Sequence, residues 1–371
     1  MRDTPIRMRR LLAKLFTLAL VITAAGCGQP LATTPSAWRP TATGIPTLRQ
    51  TQGEPQGGAS AAPVPTSAPI ARPSATAAAT SMPAPSATPT PDPADDPVFV
   101  GAGDIAACGS NGAQMTAQLL DQIEGTVFTL GDNAYQSGTA EQFRDCYDPT
   151  WGRHKARTRP SPGNHDYVTP GAAAYFDYFG ENAGPDRRGY YSFELGAWHI
   201  ISLNSEITAG PESAQAQWLA EDLSAHSAAC TLAYWHKPIF SSGSVHGNDP
   251  HMRPIWDILA RAGADVVLNG HDHIYERFAP QTVDGIADPQ GIREFVAGVG
   301  GAELYGLGAI QPNSEVRGIG VFGVLKLKLH AASYDWEFVP AEAGAFTDAG
   351  SAGCVQGRLE TRYLPYLNAN G

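Results

Sequence analysis

Seven residues of metal-binding type recur in five short segments, most of them just beyond apolar runs: Asp104, Asp132, Asn164, His165, His236, His271 and His273. Carboxylate, amide and imidazole donors in that mixture suit a hard or borderline cation. A single Asp after a strand is ordinarily a turn or helix-capping residue. Five segment ends that carry only Asp, Asn and His exceed what turn chemistry requires. Tyr135, three residues after Asp132, adds a phenol, which is a hard charged oxygen when ionised.

The elements that must position these groups are legible in the hydrophobic pattern. Apolar runs at 97–103, 126–130, 231–235 and 265–268 read as strands, and each stops at one of the polar groups above. Between them, 113–123, 213–223 and 254–262 have helical spacing, and Thr139 with Gln142 forms a capping-box pattern for a short helix. Residues 189–195 and 198–203 read as a hairpin. Further strands are expected near 294–297, 320–330 and 334–339. Strand, polar loop and helix in repetition indicate an α/β fold with its ligands at the carboxyl ends of the strands.

Five ordered segments carry a family resemblance: Gly103-Asp104-Ile105-Ala106, Gly131-Asp132-Asn133-Ala134-Tyr135, Gly163-Asn164-His165-Asp166, Tyr234-Trp235-His236 and Gly270-His271-Asp272-His273. Together they resemble the calcineurin-like metallophosphoesterase superfamily, and within it the purple acid phosphatases. Most of that superfamily has a His two residues after the first Asp, where this chain has Ala106. The purple branch instead has a tyrosine ligand at the position of Tyr135.

The resemblance implies a four-layer α/β/β/α sandwich. It implies one metal held by Asp104, Tyr135, His273 and a bridging Asp132, and a second held by Asp132, Asn164, His236 and His271. The pair would be Fe(III) plus a divalent Fe, Zn or Mn. The chemistry implied is hydrolysis of phosphomonoesters by in-line attack of a metal-bound hydroxide, with His165 and His246 as the catalytic histidines that handle the leaving-group proton. His251 is the rival to His246.

Other residues receive smaller roles. The basic run Arg153, His154, Lys155, Arg157 and Arg159 reads as a solvated loop, from which one Arg could reach substrate. Tyr275-Glu276-Arg277 is expected to orient the last ligand loop, and 298–301 to turn beside the site. His199, His226 and His330 are assigned no function.

Composition divides the 371 residues into unlike parts. Residues 1–27 have a basic start (Arg2, Arg7, Arg9, Arg10, Lys14), an apolar run and Gly26-Cys27. They read as an export signal resembling a bacterial lipobox. Lipidation at Cys27 is expected, with ordinary cleavage as the alternative because Ala24 replaces the usual Leu. Residues 28–94 contain 14 of the 30 prolines among Thr, Ser and Ala, and read as a disordered tether. The catalytic domain is expected over 95–345, followed by a C-terminal tail, 346–371.

From residue 95 onward the chain carries 33 acidic and 17 basic residues. That field excludes nucleic acid as a partner and any membrane contact beyond the N-terminal anchor. A small phosphate ester would have to be admitted by local positive charge. In an exported protein the even set Cys108, Cys146, Cys230 and Cys354 indicates two disulfides. Of three possible connectivities, Cys108–Cys146 with Cys230–Cys354 is favoured. Two rival functions stand beside the monoesterase: a phosphodiesterase acting on nucleotides or lipid head groups with the same ligands, and a non-catalytic surface binding protein with a relic metal site.

Overall fold

In the computed structural model the described residues are 96–355. The expected leader and Cys27 anchor, the tether and residues 356–371 lie outside them. The strands in chain order are β1 (Val98–Ala102), β2 (Ala106–Ala107), β3 (Thr126–Leu130), β4 (Ala134–Tyr135), β5 (Thr158–Ser161), β6 (Tyr191–Leu195), β7 (Trp198–Ser202) and β8 (Cys230–Tyr234). They continue with β9 (Val266–Asn269), β10 (Tyr275–Phe278), β11 (Arg293–Ala297), β12 (Ser314–Gly318), β13 (Gly323–Leu329), β14 (Ser333–Pro340) and β15 (Asp348–Gly353). The α-helices are α1 (Gly112–Leu120), α2 (Ala140–Gln142), α3 (Asn164–Val168), α4 (Ala173–Phe179), α5 (Ala214–Ala225) and α6 (Arg253–Ala262).

Two sheets dominate. One has the order β15-β14-β13-β1-β3-β5, the other β12-β10-β11-β9-β8-β7-β6. Parallel pairing is confined to the middle of each: β1–β3–β5 in the first, and β7–β8–β9–β11 in the second. Those strands point their carboxyl ends at one place, which is why the five polar segments converge there.

Burial separates into three apolar layers, and these define the architecture. Phe99, Phe128, Leu325 and Leu327 of the first sheet pack against Ile200, Leu232, Leu268 and Phe295 of the second. Leu219, Leu223, Trp256 and Leu259 of α5 and α6 cover the outer face of the second sheet. Ala117 and Leu120 of α1, with Tyr175, Phe176 and Phe179 of α4, cover that of the first. The result is the four-layer α/β/β/α sandwich.

Local chemistry sets the element ends. Ser213 caps α5 by accepting from the Ala216 amide at 3.2 Å, and the Thr139–Gln142 capping box starts α2. Both expected disulfides are formed, Cys108–Cys146 and Cys230–Cys354. No helix among the described residues is long and apolar enough to cross a membrane.

The structure corrects three expectations. The basic run is not a solvated loop: Trp151–Arg157 is a 3₁₀ helix that closes the end of α1. Arg153 pairs with Asp121 at 2.7 Å, and Arg157 donates to the Leu120 and Gly125 carbonyls at 2.6 and 2.7 Å. Those guanidiniums complete a helix terminus and are not turned to a ligand. Second, part of the expected tail belongs to the sandwich, because Asp348–Gly353 pairs antiparallel with β14 along its whole length. Its Ala/Gly/Ser composition reads as loop. Pairing, the Cys354 bridge and three donors onto Asp348 (Tyr275, Arg277 and Trp336) hold it as a strand. Third, Glu276 holds the loop that carries His246 and not the last ligand loop, accepting from the Ser242 amide and hydroxyl at 2.7 and 2.6 Å.

Candidate metal centre

Asp104 and Asp132 leave the ends of β1 and β3 with positive φ, 60° and 50°, and His271 follows β9 with φ 69°. Left-handed backbone at three non-glycine residues is strained, and is retained where it aims a functional group. Glycines allow the close approach around them. A Cβ on Gly163 would lie 2.2 Å from Asp132 Oδ1, and one on Gly298 would lie 2.6 Å from Asp104 Oδ2. The turn expected at 298–301 thus abuts the site directly.

The seven sequence-predicted ligands form one cluster with two halves. In the first, Tyr135 Oη lies 2.7 Å from Asp104 Oδ1 and 3.1 Å from His273 Nε2. In the second, His236 Nε2 lies 3.0 Å from Asn164 Oδ1 and 3.1 Å from His271 Nδ1. Asp132 Oδ2 joins them, 3.1 Å from Tyr135 Oη and 3.2 Å from His236 Nε2. Its other oxygen, Oδ1, accepts from the His165 amide at 2.7 Å, which fixes the carboxylate in the shared position.

These contacts test whether cations fit. A ring nitrogen has one proton or one lone pair to offer. Three partners within 3.2 Å of His236 Nε2 therefore describe donors converging on a common centre and not a hydrogen-bond network. Outer partners fix which nitrogen faces inward, as they do in metal sites. His236 Nδ1 bonds the Leu130 carbonyl at 2.7 Å, and His273 Nδ1 bonds the Glu303 carbonyl. Asp132, His236 and His271 present ligand atoms that all lie within 4.8 Å of one another. The donor set fits two metal ions.

Electrostatics in the protein alone show how strongly these groups interact. Burial opposes charge on His236, but the Asp132 carboxylate outweighs it and lifts its pKa to about 10. Burial and the neighbouring His236 charge push His271 down to about 2. Burial, with Asp104 and Asp132 adding to it, holds the Tyr135 phenol well above its ordinary range. Two buried carboxylates in this space require compensating positive charge.

Around the ligands, His165 sends Nδ1 to the Gln136 carbonyl at 2.7 Å and places Nε2 3.9 Å from Asp132 Oδ2. The His246 ring stacks on His271 at 3.9 Å, so its Gly/Ser loop does cover the second half-site. His251 does not compete: it is exposed and its Nε2 bonds the Ile207 carbonyl. A cavity of about 350 Å³ opens beside Tyr135, His165 and His273, with Tyr305, Gln136 and Glu303 in its wall.

Sequence reasoning missed three supports. Asp166 accepts from the Asn133 and Gly163 amides, tying the Asp132 loop to the Asn164 loop. Asp272 accepts from Ser241 Oγ at 2.6 Å and from the His246 and Gly247 amides. Both lie inside the quoted motifs, which was the available signal. Tyr305 stacks flat on His273, 4.0 Å away and 6° from parallel, and no spacing in the sequence pointed to it.

Comparison with known proteins agrees with this geometry. The family model described as calcineurin-like phosphoesterase matches residues 98–275, from β1 through the last ligand motif. Over that stretch the chain is similar to the calcineurin-like phosphoesterases, and it is purple acid phosphatase-like. Purple acid phosphatase 18 of Arabidopsis thaliana is 31% identical over 223 residues, which cover 55% of this chain and 49% of the relative. Acid phosphatase type 7 of Homo sapiens is 26% identical over 216 residues, covering 48% of each. The chain spans about half the length of the curated relatives it matches. Among solved structures, purple acid phosphatase PPD1 from yellow lupin (Lupinus luteus) seeds superposes with TM-score 0.57 at 19% identity, over 71% of this chain and 55% of that one. PhoD superposes with TM-score 0.51 at 13% identity, over 71% and 72%. The structural likenesses bear on the fold.

Proposed function

We propose that this protein is an exported hydrolase of phosphomonoesters that works with a dinuclear centre, Fe(III) beside a divalent ion. The observation that carries the reading is the position of Asp132 Oδ2 between Tyr135 Oη and His236 Nε2, at 3.1 and 3.2 Å. A shared carboxylate of this kind can serve two cations at the roughly 3.5–4 Å separation that clamps one phosphoryl group. Asp104, Tyr135, Asp132 and His273 would hold the ferric ion. Asp132, Asn164, His236 and His271 would hold the divalent one. Cations bound there supply the local positive charge and water activation that phosphoryl transfer requires, in a body whose own field is acidic.

The chain's residues then have distinct tasks. His165 has its Nδ1 occupied by the Gln136 carbonyl, so Nε2 is the atom that carries a proton to the departing alkoxide. His246, held against His271, borders the same phosphoryl position from the other half-site. The adjoining cavity receives the remainder of the ester. Two formed disulfides support an oxidising destination, and with it export.

The deciding experiment compares steady-state rates on a phosphate monoester and on the bis-ester of the same alcohol. A dominant monoester rate is expected. A dominant diester rate would replace the substrate class, and no hydrolysis of either by fully metallated protein would remove the enzymatic reading.

A further inference from the structure

A second constellation of ligand-type side chains lies apart from that centre, among residues to which sequence reasoning gave no role. Glu194 of β6 and His199 of β7 are cross-strand partners, and His226 follows the last residue of α5. A carboxylate oxygen of Glu194 and a ring nitrogen from each histidine all lie within 4.8 Å of one another. His199 is 1% exposed, whereas Glu194 and His226 are open to solvent, so an ion could enter from outside.

The outer contacts set which ring nitrogens turn away from Asp222. Asp222 takes one nitrogen of each ring: its Oδ2 lies 2.7 Å from His199 Nε2, and its backbone carbonyl lies 2.7 Å from His226 Nδ1. Ser192 donates to the other Asp222 oxygen at 2.7 Å and fixes the carboxylate. Those nitrogens are the N–H donors, so His226 Nε2 keeps a lone pair, and His199 Nδ1 gains one once the proton it shares with Glu194 leaves. A carboxylate or carbonyl behind each imidazole is the arrangement that sets tautomer and basicity in metal sites.

The two rings stack at 4.4 Å, 16° from parallel. Two imidazolium ions so placed would repel, which favours at least one neutral, ligating ring. His199 Nδ1 meets Glu194 Oε1 at 2.7 Å, so a proton can hold the pair together when no cation is present.

We propose that Glu194, His199 and His226 form a binding site for a divalent transition metal, with Zn²⁺ the best-matched ion, oriented by Asp222. Two imidazoles and a carboxylate are a zinc donor set, and three protein ligands leave the fourth tetrahedral position to water or an external group. The ion would tie the β6–β7 hairpin to the end of α5. The proposal uses none of the residues of the phosphoesterase centre and does not depend on its assignment.

The test is zinc stoichiometry on the full chain with its dinuclear centre already loaded. After dialysis against micromolar Zn²⁺, elemental analysis should find one more zinc per wild-type chain than per His226→Ala chain. Asp222→Asn should weaken the extra site by about 10–100-fold. Anomalous scattering at the zinc edge should place the ion against Glu194, His199 and His226. Both His226 and Glu194 are solvent-facing, so Glu194→Gln serves as a second ligand-removal variant if His226→Ala folds poorly. Equal zinc content in the wild type and either ligand variant would overturn the proposal, because the cluster is then a proton-held ion pair. An anomalous peak elsewhere would overturn it equally.

Discussion

The phenol oxygen of Tyr135 lies 2.7 Å from Asp104 Oδ1, although the two residues are 31 positions apart. Asp104 leaves β1, while Tyr135 ends the two-residue strand β4, which pairs with β2, beginning two residues after Asp104. The parallel β1–β3 pairing sets both loops side by side. The contact therefore follows from sheet register.

His165 is expected to matter for rate and little for metal content. His165→Ala should lower kcat by roughly 10²–10⁴-fold, the usual contribution of a positioned proton donor. Metal content should stay at the wild-type level, because the side chain is assigned to neither ion. Steady-state kinetics paired with elemental analysis checks both parts. A kcat within about twofold of wild type would remove His165 from the chemistry.

The loop bearing His246 is held from beneath by Glu276, through Ser242, and by Asp272. Glu276→Ala should therefore lower kcat in the same way as His246→Ala, and the double variant should be no worse than the poorer single one. Residues acting through one element are non-additive in this way. A double-mutant cycle measures the coupling. Additive losses would mean that Glu276 supports the fold and not His246.

A pH-dependent contribution to stability is expected at His330. Its ring bonds Asp96 at 2.5 Å and Asp335 at 3.0 Å, and these hydrogen bonds raise its pKa above the ordinary 6.5. A folded-state pKa above the unfolded one stabilises fully below the unfolded value, and that stabilisation is lost as pH rises through the folded value. The melting temperature of wild type relative to His330→Gln should thus be higher at pH 5.5 and converge in alkaline buffer. Asp335 is exposed and His330 partly so, and solvent screening keeps the expected difference small. A gap that widens with pH would contradict the assignment.

Much of the site could be read from the chain because its chemistry is concentrated at strand ends. Asp104, Asp132, His236 and His271 each follow a short apolar run, so pattern and chemistry marked the same places. The long apolar strands were equally plain. Other elements were obscured by their own composition. β5 reads Thr-Arg-Pro-Ser and β15 reads Asp-Ala-Gly-Ser-Ala-Gly, sequences without strand propensity, and each is formed by pairing with a stronger neighbour. The Arg157 cap on α1 and the Tyr305 ring on His273 are contacts between distant segments. Nothing in the local pattern encodes a stacking partner 32 residues away.

The central claim is that Tyr135 and Asp132 belong to a two-metal centre of Fe(III) and a divalent ion. It is tested most directly by metal analysis together with the visible spectrum of wild type and Tyr135→Phe. The account predicts two metal ions per dinuclear centre, one of them iron, and a tyrosinate-to-ferric absorption band that disappears in Tyr135→Phe. A colourless wild type carrying two divalent ions, with a spectrum unchanged by Tyr135→Phe, would contradict it.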